Sequence, residues 1–416
     1  MTSSSSTAER VALPDANSDA SRPITPALLV VLGLLSAIAP FATDLYLPAF
    51  PEMAADLQTS ATAVQLSLTS FLLGVTAGQL VFGPLSDRLG RVAPLVAGAV
   101  LCVAASVIAV FAPTVGVLIA ARFVQGLGGA AGMVIGRAII SDLATGRPAA
   151  RAFSLMMIVG GVAPVIAPLV GGVLTAAVGW RGLLAIVLGL AVVMLVAVLV
   201  VVRETHLKER RDALRAERRG SSSGAREMLS RTFIGYAASF AFAFAAMMAY
   251  ISASPFVYQD MIGLDSAGYG IAFGINALVL MVTSVVSAKL VATRSVRAVL
   301  GTGLGGVLVA AVAFAVLAVT AAPVALLAVP LFLLSGSLGF VLGNGTALAL
   351  AAVPKAAGTA SAVVGALQFG LAALVSPLVS LGGSTTAVPL AVVMLAAAVV
   401  ALAFFAIARP ARPRTT

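Results

Sequence analysis

Apolar residues run along this chain in long blocks, each close to the ~20 residues a helix needs to cross a bilayer, and polar residues gather in the short breaks between them. Twelve blocks can be drawn. They are Pro26 to Leu47, Ala63 to Phe82, Ala93 to Phe111, Thr114 to Ile140, Ala152 to Val178 and Leu183 to Val202. After a polar stretch come Phe233 to Ser254, Ala267 to Leu290, Ala298 to Val319, Val324 to Leu350, Gly358 to Leu381 and Ala387 to Ala408. The predicted fold is an all-α membrane protein, with twelve transmembrane helices in two pseudo-symmetric bundles of six. The expected organisation is a disordered cytoplasmic tail over 1–23, a first bundle over 24–202, a cytoplasmic linker over 203–230, a second bundle over 231–408 and a cytoplasmic tail over 409–416.

Composition removes the soluble alternative. Of the 416 residues 61% are hydrophobic and 10% charged, against about a quarter charged in soluble domains. The basic residues set the orientation. With the amino terminus cytoplasmic, Arg10, Arg22, Arg88, Arg91, Arg137, Arg147, Arg151, the dense stretch from Arg203 to Arg231, Lys289, Arg294, Arg297, Lys355, Arg409, Arg412 and Arg414 all fall on one side. Arg122 and Arg181 are the exceptions. This is the positive-inside asymmetry, and it places both termini on the cytoplasmic side of a multi-pass membrane protein. The formal charge of +10 therefore reports topology. Spread over many short loops, it makes no stripe for nucleic acid.

Several other signals exclude chemistry. The first residues are polar and serine-rich and carry Glu9, Asp15 and Asp19, unlike a secretory signal. Cys102 is the single cysteine and lies in the third block, so no disulfide or cysteine metal site is expected. His206 is the single histidine and sits in the charged central segment as a surface residue. Lys208, Lys289 and Lys355 lie in loops with no glycine-rich phosphate cradle, so direct ATP use is not expected. No cofactor or metal is called for, and no catalytic set converges within the spans, which speaks against an enzyme. The central segment, with Glu204, Glu209, Asp212 and Glu217 among its arginines and then Ser221 to Gly224, is expected to be a short surface helix followed by a flexible linker. The halves repeat in hydropathy more than in residues. The loop with Lys289, Arg294 and Arg297 takes the place of the Gly83 to Arg91 loop without its acid and glycines, and Pro168 corresponds to Pro377.

Two charges fall inside the spans. Asp44 and Arg122 reach similar depths on oppositely directed helices, and an isolated charge there costs several kcal/mol, so each is expected to face the bundle interior and find a partner. A proton site, a structural ion pair near the interface and simple water access to Asp44 are the three readings. A mostly apolar central cavity needs a few polar anchors, and the candidates are Tyr46, Gln125, Tyr250, Asn276, Asn344 and Gln368. Phe240, Phe244, Met247 and Met248 offer an adaptable wall. Ordinary helix packing is the alternative for each of these side chains.

The turn after the second block, Gly83, Asp87, Arg88, Gly90 and Arg91, resembles the G-x-x-x-D-R-x-G-R-R loop of the major facilitator superfamily, with Val92 at its last position. Arg122, Gln125 and Gly126 are similar to that family's R-x-x-Q-G pattern, whose arginine is associated with proton coupling. Asp44, Tyr46, Leu47, Pro48, Ala49 and Pro51 resemble the D-x-Y-L-P-A-x-P element of the bicyclomycin resistance and chloramphenicol efflux (Bcr/CflA) subfamily, as do Ser254 to Tyr258 and Gly358 to Ser361. Pro164, Pro168, Gly171 and Gly172 resemble the antiporter signature G-P-x-x-G-G, with Ala167 at its first glycine. Small-residue packing beside a helix proline is the alternative reading of that element.

The resemblance implies alternating-access export of small amphiphilic antibiotics of the bicyclomycin, phenicol or sulfonamide type, in exchange for protons and by a monomer in the lipid bilayer. It implies proton coupling at Asp44 and Arg122. It implies a gate in which Arg91 meets Asp142 and Asp87 approaches the amino end of the eleventh helix near Gly358, with a solvated turn as the alternative. A proton-linked uptake symporter, an exporter of a native metabolite, and a receptor or channel share the same sequence features in part.

Overall fold

The computed structural model describes residues 25–144, 146–205, 228–320, 322–353, 357–379 and 386–408. Both expected tails and residues 206–227 of the expected linker, with His206, lie outside the described residues. Nearly everything described is helix: α1 (Pro26–Asp44), the short α2 (Phe50–Asp56), α3 (Ala61–Leu89), α4 (Val92–Val110), α5 (Val115–Leu143) and α6 (Gly146–Val201) in the first half. The second half holds α7 (Arg231–Pro255), α8 (Ser266–Leu290), α9 (Val296–Val319), α10 (Ala328–Ala351), α11 (Ala357–Val379) and α12 (Val388–Ile407). Small polar side chains start many of these helices by accepting from an otherwise unpaired amide. Thr25 accepts from Leu28 N at 3.2 Å, Ser60 from Ala63 N at 3.2 Å, Ser230 from Phe233 N at 3.3 Å and Asp265 from Gly268 N at 2.7 Å.

Eleven helices among the described residues are long and apolar enough to cross a membrane, and one of them does the work of two. In α6 the backbone turns at Gly179 (φ 63°, ψ 178°), a left-handed conformation that glycine adopts without the Cβ penalty. The legs 146–178 and 180–201 are the expected fifth and sixth spans, joined by a single residue. The second block also ends differently from expectation. The turn predicted over Gly83 to Arg91 is helical as far as Leu89, and the reversal occupies Gly90 alone, at φ 97°. Pro84 forgoes one intrahelical hydrogen bond without ending the helix.

Helix α3 packs on α5, α1 on α6, and α4 on both α5 and α6; in the second half α7 packs on α10, α11 and α12, and α9 on α10 and α12. The α3–α5 crossing is possible only because it lacks side chains. A Cβ on Gly74 would strike the Phe123 carbonyl, and one on Gly126 the Phe71 carbonyl, so the backbones approach directly. The two halves meet chiefly through α6 against α8 and α3 against α11. At one end of the molecule lie Arg91 and the starts of α4 and α9; at the other lie Asp56, Gly179 and the start of α8.

Candidate functional site at the seam between the bundles

Helix α1 stops at Asp44, and the chain continues through a short 3-10 turn, Leu47–Ala49, into α2. That break puts a buried carboxylate, 5% exposed, where the first half meets the second. Asp44 Oδ1 accepts from Thr43 Oγ1 at 2.8 Å. Across the seam it lies within electrostatic reach of the Tyr269 hydroxyl of α8, which is hydrogen-bonded to Ser254 Oγ at 2.9 Å.

The pairing expected between Asp44 and Arg122 is not made. Arg91 forms ion pairs with Asp87 and Asp142, and Arg181 with Asp56. Arg122, fully buried, instead donates to the Ala42 carbonyl at 2.6 Å and to Gln125 Oε1 at 2.5 Å. Gln125 Nε2 in turn donates to Ser106 Oγ at 2.7 Å. The guanidinium is held between two rings, 4.5 Å from the Tyr46 centroid and 4.4 Å from that of Phe71, a favourable arrangement for a cation. Arg122 reaches a backbone carbonyl at the open end of α1, whereas the Asp44 side chain accepts from Thr43 and lies within electrostatic reach of Tyr269 in the second bundle. Arg122 thus secures a carbonyl near the open end of α1 and so fixes where Asp44 sits.

Two of the proposed substrate anchors belong to that internal network. Gln125 is 1% exposed and has both amide atoms engaged. Tyr46 is fully buried, its hydroxyl 3.1 Å from Ser67 Oγ and its ring edge-on to Phe50. Tyr250 and Asn276 do come together. The Tyr250 ring stacks on Phe273 with centroids 5.8 Å apart, and its hydroxyl, beside Tyr258 and Asn276, makes no hydrogen bond of ordinary geometry. Asn276 Nδ2 donates to the Tyr258 hydroxyl and to the Ala272 carbonyl, both at 3.0 Å. Tyr258 is the member not singled out from sequence as an anchor. It belongs to a π-helical turn, Phe256–Met261, that extends α7 and re-aims its side chains; its only sequence signal was the Ser254 to Tyr258 resemblance. Asn344 is committed elsewhere, to Ser287 Oγ at 2.7 Å and to the Phe340 carbonyl at 2.8 Å. Gln368 is half-buried on α11.

The proline–glycine element of α6 sits in the same seam, and its two glycines serve different neighbours. A Cβ on Gly171 would strike the Leu45 carbonyl, next to Asp44, whereas one on Gly172 would lie 2.5 Å from the Ser266 carbonyl and 3.0 Å from Gly270 Cα of α8. Pro168 presents its carbonyl to Gly270 on the same face, and Pro164 is half-buried a turn earlier. Gln259 Nε2 donates to the Pro48 carbonyl at 2.9 Å, and the Phe50 and Phe256 rings lie 6.1 Å apart. The bundles are therefore in contact at the Asp56 end. Gly172→Val is expected to open this contact, since overpacking against backbone costs about 1–3 kcal/mol, a population shift of about five- to 150-fold. Disulfide trapping between cysteines introduced at Pro48 and Gln259 measures it; wild-type trapping efficiency in the variant rules it out.

At the Arg91 end the sequence elements assemble around one guanidinium. Arg91 Nε donates to Asp142 Oδ2 at 2.8 Å and its NH2 group to Asp142 Oδ1 at 3.3 Å. Its NH1 group donates to Asp87 Oδ1 at 2.8 Å and to Ser86 Oγ at 2.9 Å. Burial opposes the charge of Arg91, and the hydrogen bonds and charges of Asp142 and Asp87 outweigh it, so its pKa lies above the ordinary arginine value. Sequence reasoning missed Glu204, which follows α6 and accepts from the amides of Arg91 at 2.9 Å and Val92 at 3.1 Å. It caps the positive end of α4. Thr205 donates to Asp142 at 3.1 Å. Gly83 lies in the interior of α3, and Arg88 in its last turn. Residues 354–356, ahead of α11, lie outside the described residues, and with them the expected approach of Asp87 to that helix end.

Arg91→Ala removes from Asp142 the guanidinium held 2.8 Å away, and breaking a largely buried pair in this way costs about 3–5 kcal/mol. Amide hydrogen exchange at the start of α4 is expected to accelerate accordingly. Arg91→Lys is not expected to restore it, because one ammonium cannot reproduce the fork; full protection in that variant contradicts the assignment.

The second half builds its equivalent corner from other groups. Arg297, at the start of α9, donates to the Tyr236 hydroxyl at 2.8 Å and to the Ala408 and Phe405 carbonyls at 2.6 and 3.2 Å. Helix-terminal carbonyls replace the lost acids. At the opposite end Arg181, an exception to the charge asymmetry, pairs with Asp56 at 2.5 Å and lies over the Trp180 ring.

Comparison with known proteins agrees with this architecture. The Major Facilitator Superfamily pattern matches residues 32–377. Bacillus subtilis YdgK, named an uncharacterized MFS-type transporter, is 35% identical over 386 residues, covering 92% of this chain and 96% of that protein. A Haemophilus influenzae protein named a bicyclomycin resistance protein homolog is 28% identical over 378 residues, covering 90% and 94%. Among solved structures the xylose transporter XylE from E. coli, partially occluded and inward open, superposes with a TM-score of 0.75 at 15% identity, over 94% of this chain and 99% of that one.

Proposed function

Because the chain belongs to the Major Facilitator Superfamily, as a multi-pass membrane transporter and not an enzyme, we propose that it exports small amphiphilic antibiotics across the bacterial inner membrane in exchange for protons. The observation that carries this reading is Asp44, a carboxyl group buried at the seam between the bundles with no salt-bridge partner among the described residues. The name of the Haemophilus relative supports bicyclomycin-like cargo. The likeness to XylE concerns the fold alone and does not choose a direction of transport. Export rests on the proline–glycine element of α6.

The Arg91 end is the cytoplasmic one, because the basic loops fall there. In the outward-open state a proton from outside reaches Asp44 and cargo leaves. Neutral Asp44 can then be enclosed as the Asp56 end closes, whereas enclosing it ionised costs several kcal/mol. On the inside the proton leaves and cargo loads, and the charged carboxylate favours reopening to the outside. Proton and cargo thereby prefer different states, which coupling requires. The Arg91, Asp142 and Glu204 corner, with Asp87, Arg88, Gly83 and Gly90, keeps α3, α4 and α5 moving as one body during the swing.

The test is transport in inside-out vesicles together with a resistance panel in a host stripped of its own exporters. Vesicles acidified inside are expected to accumulate a phenicol, a sulfonamide or bicyclomycin and to release protons as they do so. Accumulation only in right-side-out vesicles would mean uptake, and cargo movement without proton movement would remove the coupling.

A further inference from the structure

The Arg137 guanidinium belongs neither to the Arg91 corner nor to the Asp44 seam. It lies in α5, five residues before Asp142, which is about 7.5 Å along the helix axis. Its Nε donates to the Met133 carbonyl one turn back, at 3.0 Å. Among the described residues it has no ion-pair partner and its two NH2 groups no hydrogen-bond partner. The side chain is exposed, yet protein surrounds it closely. Exposed and enclosed together, it lies in a cavity and not on the lipid face. Rotation about α5 tells which cavity. Gly132 abuts Leu35 of α1, and Ala130 abuts Gly78 of α3. At about 100° per residue, Gly129, Met133 and Arg137 fall in the arc between those two contacts, roughly 60°, 100° and 140° from Gly132. A Cβ on Gly129 would meet nothing within 4 Å. Both borders of the arc reach the second half, α3 against α11 and the turn after α1 against α8, so the arc opens between the bundles. A charge at membrane depth that faces such a space marks a ligand pathway.

We propose that Arg137 anchors a binding site between the bundles for a small amphiphilic anion, whose carboxylate or ionised sulfonamide accepts from the two NH2 groups while its apolar body lies toward Met133 and the open space at Gly129. The guanidinium offers two parallel donors, which match a planar pair of acceptor oxygens. Met133 is partly buried beside it and adapts to varied apolar shapes. The same fixed charge turns cations away. Among the cargo types considered for export the site selects the sulfonamides, whose N–H is acidic; calling the anion cargo rests on the export reading, whereas its binding does not.

The test is equilibrium binding to the purified full chain in phosphatidylcholine nanodiscs, with radiolabelled naphthoate and, separately, with the uncharged naphthamide of the same shape. Naphthoate is expected to bind about tenfold more tightly, because hydrogen bonds between charged partners are the stronger ones. Arg137→Gln is expected to bring naphthoate down to the level of naphthamide and to leave naphthamide itself unchanged; Arg137→Ala takes its place if that variant does not fold. A second arm replaces part of the phosphatidylcholine by phosphatidylglycerol. The advantage of the wild type over the glutamine variant is expected to persist there, and its loss would give the guanidinium to a lipid phosphate and overturn the site. Equal binding of acid and amide, or a preference for the acid that survives in the glutamine variant, would overturn it as well. No gradient is present, so naphthoate binding through Arg137 in a chain that exports nothing would refute export alone, and a working exporter whose binding ignores Arg137 would refute this site alone.

Discussion

Asp44→Asn is expected to reduce proton-driven accumulation of cargo in inside-out vesicles to the level of passive leak. The substitution keeps the size and the hydrogen bond from Thr43 and removes only the charge cycle. A neutral side chain at position 44 suits the contact state at the Asp56 end equally well with or without acid outside, so nothing drives the outward return. Two further measurements separate this from damage to the fold. Cargo binding in detergent is expected to persist, and exchange of labelled for unlabelled cargo without a gradient is expected to survive better than net transport. Normal accumulation under a proton gradient in this variant would remove Asp44 from the mechanism altogether.

The second large effect is expected from Arg122→Leu. Its side chain holds the Ala42 carbonyl and Gln125 and fills the space between Tyr46 and Phe71. Leucine leaves a buried carbonyl and a buried amide oxygen without donors, at about 1–3 kcal/mol each, and the end of α1 loses its anchor. Transport is expected to fail along with thermal stability. Arg122→Lys is expected to recover only part of either, since an ammonium lacks the planar fork and stacks less well on rings.

A double-mutant cycle tells this anchoring role from direct charge pairing. If Arg122 acts on the Ala42 carbonyl, the stability lost in Arg122→Leu is the same in the wild-type and Asp44→Asn backgrounds, within about 0.5 kcal/mol. A coupling of several kcal/mol would restore the ion pair that the geometry denies.

The apolar blocks made the twelve crossings legible, since a bilayer requires backbone hydrogen bonds within each segment, and Ser, Thr and Asp beside those blocks mark where several helices begin. Legible too were the residues of the Arg91 corner on either side of one turn. Glu204 was not, because it lies more than a hundred residues along the chain from the amides it caps. Nor was the fate of Tyr46 and Gln125, whose polar atoms look like cargo anchors until the network that uses them is seen.

From the sequence alone come the membrane, the number of crossings, which loops carry the charges and the glycine and proline positions where helices meet or bend, because each of these is a property of one segment against its solvent. The tertiary structure alone decided that Asp44 and Arg122 face different bundles, that Gly171 and Gly172 serve opposite neighbours, and that Tyr258 joins Tyr250 and Asn276. Those are matters of rotation about a helix axis and of which helix lies alongside, and in hydrocarbon every face of a helix is apolar enough to leave that choice to packing.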